Sequence, residues 1–210
     1  MRQLVRHIAA AAAGAAALLG LSPAAHAQGL IRDTEIEAVM RDYADPLIAA
    51  AGLDVQSVDF YLIGDDSFNA FVTGGQNIFM HTGAIVIADR PLEIKGVIAH
   101  EIGHISGAHI ARSQEAARGS MATMAATVGL GIIAALAGEG GAGAALIASG
   151  SQFAQLDFLA YTRSQEAAAD QAALSYLEAT GQSAQGLIAT FERFRYQEVM
   201  SNQRRMEYFR

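Results

Sequence analysis

The chain has 210 residues, 52% of them hydrophobic, with no long polar run, a composition that supports one compact domain with a buried core and excludes a disordered chain. It has no cysteine, which excludes a disulfide framework, a thiol nucleophile and a lipid-modified N-terminal cysteine. Its 14 Lys and Arg stand against 21 Asp and Glu, so it offers no basic footprint for nucleic acid.

At the start of the chain, Arg2 and Arg6 precede an apolar stretch from Ile8 to Leu21, followed by Pro23 and the small-residue signature Ala25-His26-Ala27. This reads as a secretory signal peptide over residues 1–27, cut before Gln28. The apolar core is shorter than the ~20 residues a spanning helix needs and is mostly weakly hydrophobic alanine. Residues 28–210 then form the working domain; without Arg2 and Arg6 it has 12 basic residues against 21 acidic ones, a formal charge of −9.

From Asp33 to Ala51, early acidic residues, apolar residues at helical spacing and Gly52 as a stop predict a helix, with Asp45-Pro46 able to break and restart it. "VDFYLIGD", "NAFVT" and "IFMH" read as three short strands, the last two joined by the turn signal Gly74-Gly75-Gln76-Asn77. Together they predict a small antiparallel sheet. Asp89 and Pro91 mark the entry to a long helix whose apolar pattern runs through Leu92, Ile94, Val97, Ile98, Ile102 and Ile105 to about Ala111. Residues 121–159 look like an apolar helical hairpin, with a Gly-rich turn and a second arm interrupted by Gly150, Ser151 and Gln152. It is expected to be buried or to touch a membrane rather than to span one. Two further helices follow, from Ser164 to Thr180, closed by Gly181, and from Ser183 onward.

The stretch "VIAHEIGHISGAH" carries the chemistry. His100 and His104 are four apart, so on a helix both imidazoles project from one face and can share an ion. Glu101 lies about 100° further round the helix, where it is poorly placed as a ligand. It can instead take a proton from an attacking water and later pass it to a leaving amine. A helix with two surface histidines and a solvated acid is the bland alternative. Against it, Ile98, Ala99, Ile102, Gly103 and Ile105 make this helix apolar nearly all round, and burying unpartnered imidazoles and a carboxylate would cost several kcal/mol. Binding of a metal, Zn²⁺ by donor type, removes that cost.

A third ligand remains to be found. Gly107 stands where the metzincin pattern H-E-x-x-H-x-x-G-x-x-H has its glycine, but that pattern wants its last histidine at 110, which is Ile110. His109 is off by one and would point away from the His100/His104 face if the helix continued, so it reads as a packing or surface histidine. Glu166 in "YTRSQEAAAD" is the better candidate, with Asp170 one turn further along the same face to accept the free N–H of a liganding histidine. Their alanine neighbours suggest close helix packing.

The trio "NAFVTGGQNIFMHTGAI", "HEIGH" and "SQEAAAD" resembles the gluzincin metallopeptidases of family 48, which include the CAAX prenyl endopeptidases, HtpX-type membrane proteases and BepA-like periplasmic proteases. The resemblance runs roughly from Asp33 to Phe194 and is carried by His100, Glu101, His104, Glu166, Ala169 and Asp170. It implies an α+β zincin-like fold, mainly helical with a small antiparallel sheet, one Zn²⁺ per chain held by His100, His104 and Glu166, and Glu101 as general base. It also implies that an edge strand around Asn69, Ala70 and Phe71 and around Asn77 to His81 pairs with the substrate backbone. His81 is either an exposed strand residue or a donor to the oxyanion, and for Phe71 and Phe79 core packing is the alternative to a specificity role.

These readings converge on a zinc-dependent endopeptidase of misfolded or misassembled envelope proteins. It would be exported to a bacterial periplasm, with possible peripheral contact with the membrane or with outer-membrane proteins. The competing expectation is a chaperone or assembly factor of the outer membrane, in which the apolar hairpin binds exposed strands or lipid and proteolysis is rare.

Overall fold

A computed structural model describes residues 29–195. The chain enters through a two-residue strand, β1 (Leu30–Ile31), and turns into helix α1 (Thr34–Ala50). Asp33 caps α1: its side chain accepts the backbone N–H groups of Glu35 and Ile36, satisfying donors the first turn leaves open. Pro46 lies inside α1 without ending it. Met40, Ala44, Leu47 and Ile48 form its buried stripe.

Three strands follow, β2 (Asp59–Ile63), β3 (Ala70–Thr73) and β4 (Asn77–His81), in the spatial order β1-β2-β4-β3. The sheet is mixed, which corrects the wholly antiparallel expectation. β3 and β4 are antiparallel, with Phe71 opposite Phe79, whereas β4 lies parallel to β2, with Tyr61 opposite Phe79. The loop over 64–69 carries the chain past one strand position to the sheet margin, and the turn at Gly74 and Gly75, both at positive φ, returns it inside. β3 is therefore an edge strand and β4 is not.

After the short helix α2 (Thr82–Ile87), α3 (Pro91–Ser106) starts with proline in its first turn, where the missing N–H has no partner to lose. It lies over the core face of the sheet. Leu47, Ile48, Val58, Ile78, Met80, Ile98, Ile102 and Leu177 are the large side chains packed between these layers.

Two long helices complete the described chain, α4 (His109–Leu136) and α5 (Gly140–Ala179), with a further helix over 185–195. The expected apolar hairpin is present but longer than 121–159. Its second arm is continuous through Gly150, Ser151 and Gln152 into the segment that carries Glu166. Gly150 does not interrupt the helix because it faces α4, where a Cβ would lie 3.3 Å from a Val128 methyl carbon.

Candidate metal centre

α3 and α5 meet at two small residues. A Cβ on Gly103 would stand 2.7 Å from the Ala169 carbonyl oxygen, and Ala169 is fully buried. This approach brings a carboxylate from α5 onto the histidine face of α3. The Nε2 atoms of His100 and His104 are 3.0 Å apart, and Glu166 Oε2 lies 3.4 Å from the first and 3.7 Å from the second. Donors held at about 2.1 Å from one tetrahedral ion are roughly 3.4 Å from each other, so the set fits Zn²⁺. Among the described residues these three form the one His/Cys/Asp/Glu group of that kind.

The free nitrogens are also engaged. His100 Nδ1–H donates to Asp170 Oδ1 at 2.9 Å, which leaves the Nε2 lone pair facing Glu166. Burial, followed by the neighbouring His100, lowers the His104 pKa to about 4, so this ring stays neutral as a ligand must. Glu101 projects elsewhere on α3 and is 7% exposed. Burial, and then the charge of Glu166, raises its carboxyl to about 8. A carboxylate with that affinity for a proton, lining the same cleft as the three donors, is suited to proton transfer.

His109 departs from its expected place. The helix does not continue past Ser106: Gly107 ends it, and Ala108 takes a left-handed conformation with φ of 50°, a strained state for a residue with a Cβ. This reversal folds the His109 ring back against His104, with the two Nδ1 atoms 2.9 Å apart. With His104 Nε2 facing the ion site, its Nδ1–H donates to His109 Nδ1. Gly107 is the residue that leaves room, since a Cβ there would collide with the His109 ring. His109 is thus a buried packing histidine, one of its two expected roles, and not one of the three clustered donors; it packs on His104 from behind.

Gln165, which sequence reasoning passed over, secures this corner. Its Nε2 donates to the His109 carbonyl at 3.0 Å and to the Tyr161 hydroxyl at 2.7 Å, and its Oε1 accepts from Ser113. Its one signal is adjacency to Glu166, which on a helix turns it toward α4.

The donors open into a cleft of about 590 Å³ bounded by Asn69, Ala70, Phe71 and Val72 of the β3 region, Phe158 and Thr162 of α5, and Phe191 and Phe194. The edge strand thus runs beside the three clustered donors. Phe71 stacks on Phe79 at 5.3 Å between ring centres, and Phe79 on Tyr61 at 5.0 Å, forming an aromatic row across the sheet. His81 is not where either expectation put it. It is buried beneath the loop over 64–69, with Nδ1 2.8 Å from Ser67 Oγ and 3.3 Å from Asp65 Oδ1, outside the cleft lining. The reason is pairing order: β4 is interior, so its last residue meets the crossing loop instead of solvent.

The sequence model of peptidase family M48 matches residues 31–210. The chain belongs to this family. As an M48 member it is a metallopeptidase, and the α+β zincin-like fold with its His/His/Glu cluster accords with that. This M48 chain is 28% identical over 152 residues to the beta-barrel assembly-enhancing protease of Yersinia pestis, covering 72% of its own length and 31% of the relative's. It is 26% identical over 164 residues to the protein of that name from Escherichia coli, covering 78% and 34%. A Vibrio cholerae protein given the same name provisionally is 35% identical over 161 residues, covering 74% and 33%. The M48 chain therefore spans about a third of the length of these curated relatives.

Proposed function

We infer that the chain is a zinc-dependent endopeptidase that hydrolyses internal peptide bonds of misfolded or misassembled cell-envelope proteins. The observation that carries this reading is the convergence of His100, His104 and Glu166 donor atoms within 3.7 Å of one another in the lining of a cleft. Zn²⁺ held there would supply a Lewis acid for the scissile carbonyl. The chain's own groups do the rest. Asp170 holds His100 in the tautomer that presents Nε2, Glu101 takes the proton of the attacking water and delivers it to the leaving amine, and the free edge of β3 binds the substrate as an added strand. Recognition through main-chain hydrogen bonds tolerates many sequences, which suits a substrate defined by exposed extended segments.

The names of the relatives support an envelope substrate connected with β-barrel assembly. The leader at residues 1–27 lies outside the described residues; its reading as a signal peptide supports a periplasmic site of action. The decisive experiment is metal analysis and casein cleavage on wild type, Glu101→Gln and Glu166→Ala. One zinc per chain with cleavage is expected for wild type, zinc without cleavage for Glu101→Gln, and neither for Glu166→Ala. Cellular phenotypes that all survive Glu101→Gln would favour the non-proteolytic chaperone instead.

A further inference from the structure

The α4/α5 hairpin is built inside out for a protein in water. Between residues 119 and 156 the positions buried between its arms are Ser120, Gly131, Gly143 and Gly150. A Cβ on Gly131 would stand 2.7 Å from the Gly143 carbonyl oxygen, so the backbones touch. The large apolar side chains point outward: Met121 is 71% exposed, Ile133 64%, Leu136 84% and Leu156 60%. A soluble pair of helices has the opposite arrangement, because water drives such groups inward. Small residues inside and Leu, Ile, Met and Phe outside is the arrangement suited to a medium as apolar as the side chains themselves.

Charge and length point the same way. From Gly119 to Leu156 the single charged residue is Glu139, at the turn. The uncharged helical arms, 119–136 and 140–156, are about 27 and 26 Å long, close to a hydrocarbon thickness of ~30 Å. At the base of the hairpin Arg112, Arg118 and Arg163 are exposed, form no salt bridge among the described residues and outnumber Glu115 and Asp157, which suits a layer of phosphate headgroups. The exposed apolar positions of α4, Met121, Met124, Leu130, Ile132, Ile133 and Leu136, cover roughly 240° of its circumference at 100° per residue, too wide an arc for one flat protein partner.

We propose that residues 119–156 are embedded in a lipid bilayer, with Glu139 at the far headgroup layer and the arginines at the near one. The proposal stands apart from the hydrolytic reading. It fixes the height of the cleft: Phe158 and Thr162 line the cleft and follow directly on the embedded arm, and Glu166 is ten residues, about 15 Å, beyond Leu156. The site therefore opens just above the membrane surface and receives chain segments lying there.

The chain has neither tryptophan nor cysteine, so one of either placed in it reports alone. The full chain would be reconstituted from outside into phosphatidylethanolamine/phosphatidylglycerol vesicles. Leu130→Trp should lose several-fold of its fluorescence to acyl-chain-brominated lipid, and Glu139→Cys should resist an impermeant maleimide until detergent is added. Ile133→Asp combined with Leu136→Asp should lower co-flotation at least tenfold, while 0.5 M salt should leave the wild type bound. Metal content unchanged in the double variant would show that the catalytic domain is folded. Release by salt, quenching of the tryptophan by aqueous iodide but not by brominated lipid, labelling of residue 139 before detergent, or a stable dimer that does not float would each overturn the proposal. Loss of casein cleavage by Glu101→Gln leaves every one of these readouts unmoved, so the two readings fail separately.

Discussion

The Gly103 Cα and the Ala169 carbonyl face each other so closely that a methyl group on the first would lie 2.7 Å from the oxygen of the second. Glu166 is one turn before Ala169 on the same helix, and its reach to the His100 and His104 rings depends on that contact. Gly103→Ala must push α5 away from α3. The expected outcome is a loss of about 1–3 kcal/mol of stability from overpacking, together with a roughly 10- to 100-fold weaker zinc affinity, as for changes that displace a ligand's support. Chelator competition and thermal unfolding check both; Gly103→Ala with unaltered zinc affinity would show that the helix contact does not position Glu166.

Burial of the Glu101 carboxyl should cost the fold stability at neutral pH. Its folded pKa, raised to about 8 by burial and by Glu166, exceeds the ordinary value of 4.5, so the folded state holds this proton more tightly than the unfolded one. Its contribution is most favourable below pH 4.5 and is lost as the pH rises to about 8. In the metal-free protein Glu101→Gln is therefore expected to be stabilising at pH 7, by on the order of 3 kcal/mol, and nearly neutral at pH 4.5. Urea denaturation at the two pH values measures it. An equal effect at both would mean that the carboxyl ionises without penalty.

The parts of the site that follow from spacing were legible in the sequence, and those that depend on a chain reversal were not. His100 and His104 at i and i+4, and Glu166 and Asp170 at the same interval, declare a shared helix face whatever surrounds them, and the structure brings the four together. By contrast, the apolar run through Ile102 and Ile105 extrapolates smoothly past Ser106. Nothing in an alanine marks the left-handed φ at Ala108 that turns His109 onto His104. Gly107 coincides in the sequence with the glycine of the metzincin pattern, but its use in the fold is to make space for the His109 ring. The parallel pairing of β2 with β4 was hidden for a related reason: the same strands could follow one another as hairpins, and the loop over 64–69 alone decides otherwise.

His109 should act on zinc through His104. Replacing it by Ala leaves the His104 Nδ1–H without its acceptor, and the expected result is a roughly 10- to 100-fold weaker zinc affinity, whereas Glu166→Ala abolishes binding. His109→Gln, which offers a carbonyl oxygen as acceptor, should recover part of the loss, and Gly107→Ala should reproduce it by displacing the ring. Zinc titration of the four variants is the measurement. Complete loss of zinc in His109→Ala with retention in Glu166→Ala would instead make His109 the third ligand.

The edge of β3 gives a test of substrate binding that leaves the metal site untouched. His81 N–H donates to the Asn69 carbonyl, so in the antiparallel ladder Asn69, Phe71 and Thr73 turn their main-chain groups toward β4, and Ala70 and Val72 turn theirs toward the cleft side. Val72→Pro removes an outward N–H and no ladder bond, while Phe71→Pro removes an inward one. If substrates add as a strand, Val72→Pro should raise KM for an unfolded protein substrate about tenfold, the equivalent of ~1.4 kcal/mol and so of a hydrogen bond or two, with the melting temperature little changed. Phe71→Pro should lower the melting temperature as well. A Val72→Pro enzyme with the wild-type KM would place the substrate elsewhere in the cleft, against the Phe158 and Phe191 wall.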